Sequence, residues 1–232
     1  MLLTDNAIIK FDFSAFLMII YRYMELSISV EPYLNGDKKI LKKYLDDIVK
    51  LRDKLPLSVH YDCFEYRPEI IELLGSYAGK IAVHLHSMLP DIRVAGTQIA
   101  KFPFASVSAH AENQYIVYVM NITNTRYSGG IVFELDTTNI DGYGEIIRKC
   151  GYATVMTVVA GASGRPFDKT ALSKVAQIKK INPRIKIIID GGINHDTIDE
   201  LANYPIDIAV VGSYAKKCYE SGDLLAGLKK LL

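Results

Sequence analysis

Four of the five histidines in this chain, His60, His84, His86 and His110, stand at the ends of β-rich runs, and Asp62 and Asp190 stand at such ends as well. Asp62 follows His60 by two residues, so on an extended strand both side chains point to one face. Two imidazoles and two carboxylates, here His60, His84, Asp62 and Asp190, suit Zn²⁺, Fe²⁺, Mn²⁺ or Co²⁺ better than Ca²⁺ or Mg²⁺. The same two carboxylates are able to move protons as a base and an acid. Any single histidine of this kind reads as a polar interior residue satisfied by its neighbours. Four gathered at strand ends favour a metal centre. His195 falls elsewhere and reads as a surface residue at a helix start.

Such chemistry requires the run ends to converge in space. From Leu26 onward the chain alternates short β-rich runs with longer amphipathic ones, eight times, with strands expected at Leu26–Val30, Leu57–Asp62, Ile81–His86, Phe104–His110, Gly130–Leu135, Ala153–Val158, Ile185–Asp190 and Asp207–Gly212. Helical patterns are clearest at Lys38–Lys54, Lys169–Ile181 and Leu224–Leu231. Regular β/α alternation means parallel strands with helical crossovers. The strand faces select between the two parallel architectures. Leu26, Ile28 and Val30 share one face and Ser27 and Ser29 the other; Leu57, Val59 and Tyr61 oppose Ser58, His60 and Asp62. An open doubly wound sheet would be apolar on both faces. One apolar face and one small or polar face, charged at its C-terminal end, predict a (β/α)₈ barrel of the TIM type over residues 24–232, with its site at the C-terminal rim.

Glycine-rich turns supply a second signal. Asp190-Gly191-Gly192 follows the seventh strand and Gly212-Ser213 the eighth, the position where barrels commonly bind phosphate. Glycine lets the backbone approach an anion, and a helix N-terminus adds positive potential. A third loop, Val159 to Arg165 with Gly161 and Gly164, follows the sixth strand and reads as a lid, with Arg165 facing phosphate, a neighbouring subunit or solvent.

The composition excludes several classes. Lys+Arg is 27 against Asp+Glu 26 in 232 residues, without the basic excess of a phosphate-tracking nucleic-acid binder. No apolar run approaches the roughly 18 residues of a membrane span. The three cysteines, Cys63, Cys150 and Cys218, form no CxxC pair and read as a reducing, cytoplasmic setting. Residues 1–23 carry the apolar stretch Phe16 to Tyr21, but Asp5 and Asp12 precede it where a signal peptide wants positive charge. Met24 opens a plausible first strand, so residues 1–23 are expected to be an appended segment, the alternative being an extra helix that covers the domain's surface or a subunit contact.

The ordered set His60-x-Asp62, Val-His84-Leu, Ser-Ala-His110-Ala-Glu112, Met156-Thr-Val, Ile-Asp190-Gly-Gly and Val-Gly212-Ser213 resembles the ribulose-phosphate 3-epimerase family, from about Ser27 to the C-terminus. The resemblance implies a barrel that binds a ketose phosphate and one divalent metal, usually zinc or iron, held by His60, Asp62, His84 and Asp190. It implies Asp62 and Asp190 as base and acid on opposite faces of the sugar, a substrate cup from Ser27, Ser29, Gly161, Gly164, Gly191, Gly192, Gly212 and Ser213, and a homo-oligomer. The pocket departs from the family pattern. Phe64 stands where methionine is usual, His86 replaces the methionine after His84-Leu, Met156 is kept, and the lid differs. His110 and Glu112 are expected to support the site from behind.

Inverting C3 of a ketose phosphate breaks and remakes a C–H bond beside a ketone. A metal against the C2 and C3 oxygens stabilises the enediolate as a Lewis acid. The expected substrate is D-ribulose 5-phosphate, giving D-xylulose 5-phosphate, or a related sugar such as D-allulose 6-phosphate. One rival is a lyase of the orotidine-phosphate decarboxylase type, which carries Asp-x-Lys-x-x-Asp; the corresponding Asp62-Cys-Phe-Glu65 has no lysine. The other is a catalytically silent barrel that senses a sugar phosphate or serves as a scaffold.

Overall fold

Strand-forming, β-branched runs with period-two alternation and intervening helices give eight parallel strands that close on themselves. They are β1 (Glu25–Ser29), β2 (Leu57–Cys63), β3 (Val83–Ser87), β4 (Ser106–His110), β5 (Ser128–Phe133), β6 (Tyr152–Met156), β7 (Lys186–Asp190) and β8 (Ile208–Val211). Each pairs with the next, and β8 closes on β1 through Glu25↔Ile208 and Ser27↔Val210. The computed structural model describes residues 24–122, 128–160 and 165–232. Residues 1–23, together with Gly161 and Gly164, lie outside the described residues.

The helices cover the apolar face of the sheet. Helix α1 (Lys38–Leu51) starts where the Asp37 carboxylate accepts from the Lys39 N–H at 2.8 Å, satisfying one orphan donor of the first turn. Its buried stripe is Leu41, Tyr44, Leu45 and Ile48, while Lys42–Asp46 and Lys43–Asp47 pair along the exposed face at i,i+4 spacing. Helices α2 (Pro68–Tyr77), α3 (Arg93–Ile99), α4 (Ile116–Ile122), α5 (Gly144–Lys149), α6 (Ser173–Ile181), α7 (Ser213–Glu220) and α8 (Leu224–Lys229) complete the outer ring. The helix expected at Lys169–Ile181 is divided into a 3₁₀ turn, Lys169–Leu172, and α6. Another 3₁₀ turn, Ile198–Leu201, lies between β7 and β8. Among the described residues no helix is long and apolar enough to cross a membrane.

Two interiors result. Leu26, Ile28, Val59, Val83, Val107, Ile131, Val155, Ile187 and Val211 point outward and pack with the helices into the main core. Inside the barrel, Ile188, Ile208 and Val210 form a small separate apolar cluster with Tyr152. The rest of the lumen is largely small or polar, with Ser27, Ser29, Ser58, Ser106, Ser108 and Thr154 all buried. Those short side chains leave room for the histidines.

Candidate metal and proton-transfer site

The register sets His60 beside His84 and Asp62 beside His86 across β2 and β3. Asp190 ends β7 beside Met156 of β6 and Val210 of β8. Convergence at the rim brings His60, Asp62, His86 and Asp190 together, one nitrogen or oxygen from each lying within 4.8 Å of all the others. His60 Nε2 is 3.1 Å from Asp62 Oδ1 and 3.3 Å from Asp190 Oδ2; His86 Nδ1 is 3.1 Å and 3.5 Å from the same two oxygens. Both imidazoles are 1% exposed.

Burial by itself would drive all four groups neutral. Their mutual attraction outweighs it. The Asp62 and Asp190 carboxylates raise the pKa of His60 to about 10 against its desolvation, and they raise His86 as well. Conversely the histidines hold Asp62 and Asp190 below the usual carboxylate range despite burial. The two carboxylates thus favour protons on both imidazoles, and a divalent cation among the same four groups would take over that charge-balancing role. The donor set, two nitrogens and two carboxylate oxygens facing one point, therefore fits a transition metal or zinc.

His84, expected among the ligands, lies outside this group, and His86 takes its place. Two residues along a strand is roughly 6.6 Å, one layer deeper in the barrel. There His84 Nδ1 is 2.8 Å from Ser106 Oγ, Nε2 is 3.6 Å from Glu25 Oε1, and the ring meets the edge of Tyr152. Burial pushes its pKa down, so it serves as a neutral hydrogen-bonding residue of the barrel floor. The same two-residue shift revises the pocket. The methionine that seemed lost after His84-Leu85 is present as Met88, two residues after His86, and it lines the cleft.

The cleft above these four side chains is lined by Ser29, Asp62, Phe64, Met88, Met156, Val158, Arg165, Asp190, Gly191, Gly192, Gly212 and Ser213 among others. Gly191 and Gly192 have φ of +117° and +69°; a Cβ at Gly191 would strike the Val158 side chain at 2.4 Å, and one at Gly192 would meet the Phe167 backbone at 3.0 Å. Glycine is needed at both places for the turn and for the close approach. Gly212 precedes α7, whose first residue is Ser213, so a helix N-terminus faces the same cleft. Of the expected cup, Ser29 lines it and accepts from the Glu31 N–H at 3.2 Å. Ser27 is fully buried, pairs in register with Ser58 and Val210, and does not line the cleft. His110 lies at the adjoining opening with Phe64, Met88, Asn113 and Glu134. His195 is exposed beside Asp196, as expected.

Sequence reasoning passed over Met88 and Glu134. The first was signalled by a His-x-Met spacing starting at His86, the second by strand parity, since Gly130, Val132 and Glu134 alternate on the inner side of the expected fifth strand.

Fold and relatives define a class, an epimerase acting on carbohydrates and built on a (β/α)₈ barrel. Within it the chain belongs to the ribulose-phosphate 3 epimerase family, whose model matches residues 60–215. It is similar to ribulose-phosphate 3-epimerase of Mycoplasma genitalium, 24% identical over 204 residues that cover 80% of this chain and 88% of that protein. It also resembles ribulose-phosphate 3-epimerase of Helicobacter pylori, 25% identical over 158 residues covering 66% and 72%. Among solved structures, KGPDC from Streptococcus mutans shares the fold at a TM-score of 0.63 and 11% identity, covering 90% of this chain and 95% of that one.

Proposed function

We propose that this protein inverts C3 of a ketose phosphate, with D-ribulose 5-phosphate and D-xylulose 5-phosphate as the pair and a longer sugar such as D-allulose 6-phosphate as the nearest variant. The observation that carries the reading is the placement of two carboxylates, the buried Asp190 and the partly buried Asp62, at the floor of a cleft that also presents the Gly191-Gly192 turn and the start of α7. The family supports the same reaction class.

In this scheme the phosphate is held by backbone N–H groups at Gly191, Gly192 and Ser213 and by the positive end of α7. That anchoring presents C3 between Asp62 and Asp190, of which the acid partner must carry a proton into the reaction, against the ionised state that the histidines favour in the empty cluster. One takes the C3 proton, the other delivers a proton to the opposite face, and the reverse reaction exchanges their roles. Each turnover breaks one C–H bond and makes one, so no oxidant or co-substrate is needed. His60, Asp62, His86 and Asp190 would hold the metal; the donor set suits zinc, iron, manganese or cobalt, and the family resemblance favours zinc or iron. When bound, the metal would supply Lewis-acid stabilisation of the negative charge that develops on the sugar's oxygens. Phe64, Met88, Met156 and Val158 exclude water from the reacting face.

Residues 24–232 are proposed as one catalytic unit and residues 1–23 as dispensable to it. A cytoplasmic location rests on the free cysteines Cys63, Cys150 and Cys218, and a homo-oligomer on the family resemblance.

The test is proton exchange. Metal-loaded protein in D₂O with D-ribulose 5-phosphate, then with allulose 6-phosphate, is followed by NMR. Deuterium entering at C3, and failing to enter with Asp62→Asn or Asp190→Asn, is the expected result and identifies the sugar. Absence of exchange across the panel, with metal bound and the fold intact, overturns the reading in favour of a binding-only barrel.

A further inference from the structure

Behind the ligand His86 stands a chain of groups that the proposed reaction does not use. His86 Nε2 is 3.0 Å from Nε2 of His110, and the two rings stack with centroids 4.9 Å apart and 28° between planes. His110 Nδ1 is in turn 2.7 Å from Glu134 Oε1, at ion-pair distance though off the line of a well-aligned hydrogen bond. Glu134 follows β5 directly and His110 ends β4, so two neighbouring strands deliver the pair to the back of the ligand.

Proton placement along this chain is determined by its outer end. An ionised carboxylate only accepts, so the hydrogen of His110 belongs on Nδ1, facing Glu134. A neutral His110 then presents a lone pair at Nε2. Two imidazole nitrogens 3.0 Å apart need one donor and one acceptor, so His86 carries its hydrogen on Nε2 and donates it to His110. In the neutral, metal-binding form, what is left at His86 Nδ1 is a lone pair, aimed at Asp62 Oδ1 and Asp190 Oδ2; without metal a proton takes that place. A lone pair turned toward two carboxylates is repulsive unless a cation stands between them.

We infer that His110 and Glu134 are positioning residues that fix the tautomer and ring orientation of His86 for metal binding. The inference rests on the metal reading above and goes one shell beyond it. Ligating imidazoles generally donate their second N–H to a carboxylate or carbonyl, and loss of that partner costs about 10- to 100-fold in metal affinity. Here a second imidazole relays the carboxylate. Glu112, which accepts from Thr137 Oγ1 at 2.8 Å, lies close enough to His110 and Glu134 for the three to form a cation site of their own. That rival predicts a second bound ion.

The experiment measures zinc stoichiometry and affinity by competition with a chromophoric chelator, for wild type, Glu134→Gln, Glu134→Ala, His110→Phe and His110→Gln. Long-range ¹H–¹⁵N spectra of the zinc-loaded proteins read the His86 tautomer directly. Expected are one zinc per chain, His86 protonated on Nε2, affinity lowered about 10- to 100-fold in Glu134→Ala and His110→Phe, and substantial recovery in His110→Gln, whose carbonyl again accepts. Glu134 is 39% exposed, so Glu134→Gln tests the link with little effect on folding. Unchanged zinc affinity and an unchanged His86 tautomer in the Glu134 variants and His110→Phe overturn the inference while leaving the metal reading intact. A second zinc lost with Glu134, at unaltered affinity of the first, overturns it in favour of the cation site. Wild-type protein that binds no divalent metal overturns the metal reading and this inference together.

Discussion

Exchanging His84 and His86 separately for leucine distinguishes a floor residue from a ligand. His84→Leu removes the partner of Ser106 Oγ, a fully buried hydroxyl, and the neighbour of Glu25. An unpartnered buried polar group costs about 1–3 kcal/mol, and Glu25 keeps some access to water. At about 2–4 °C per kcal/mol for a domain of this size, that is a fall in Tm of roughly 2–12 °C. The proposed metal ligands are untouched, so zinc affinity should change by less than about threefold, or under ~0.7 kcal/mol. His86→Leu removes one of the four proposed ligands. Losing only a ligand's outer partner already costs about 10- to 100-fold, so loss of the ligand itself is expected to exceed about 100-fold, near 2.7 kcal/mol. The assays are thermal melting of the metal-free proteins and chelator competition for zinc. A folded His84→Leu that loses zinc, or a His86→Leu that keeps wild-type affinity, refutes the assignment of depth on which the site is built.

Three further outcomes follow from the same geometry. Metal-free protein should lose stability as pH rises from about 6.5 to about 10. His60 is raised to about 10 in the fold, so its stabilisation is complete below its unfolded pKa and disappears as pH passes the folded one. Denaturant titrations across that range should show a loss on the order of a few kcal/mol, much reduced once zinc replaces the protons; a flat profile without metal contradicts the charged cluster. Saturating zinc at a hundredfold excess over Kd should add about 2.7 kcal/mol, or roughly 5–10 °C in Tm, reversed by a chelator. Gly192→Ala places a Cβ 3.0 Å from the Phe167 backbone at a φ of +69°, a conformation costing about 1–2 kcal/mol outside glycine. Steady-state kinetics should show KM for the sugar phosphate raised more than kcat is lowered; an unchanged KM would place phosphate elsewhere.

The barrel was legible because its strands carry different chemistry on their two faces. Ser27 and Ser29 against Leu26 and Ile28, or His60 and Asp62 against Val59 and Tyr61, state which side meets helices. Alternation is blind to depth, however. His84 and His86 have the same parity, and only the pairing of Asp62 with His86 shows which one reaches the rim. The environment of His84, low in the lumen, is assembled from Glu25 of β1, Ser106 of β4 and Tyr152 of β6, and no local window of sequence contains it. Ser27 was misplaced for the same reason, right in face and wrong in layer. Glu134 was legible by parity, but its partner His110 lies 24 residues earlier, and the contact exists only because β4 and β5 are adjacent.

The barrel keeps two separate interiors, and this bears on how such a protein can change over evolutionary time. The side chains that wall the cleft, Phe64, Met88, Met156 and Val158, are absent from the helix–sheet core that supplies most of the apolar burial. Substitutions that reshape the cleft therefore leave the largest stabilising contacts alone, and their cost to folding is small beside that of a change at Ile28 or Val107. Sugar preference is free to drift among descendants that remain equally foldable. Selection for a new substrate can then proceed through single steps at the mouth, without a compensating change elsewhere in the chain.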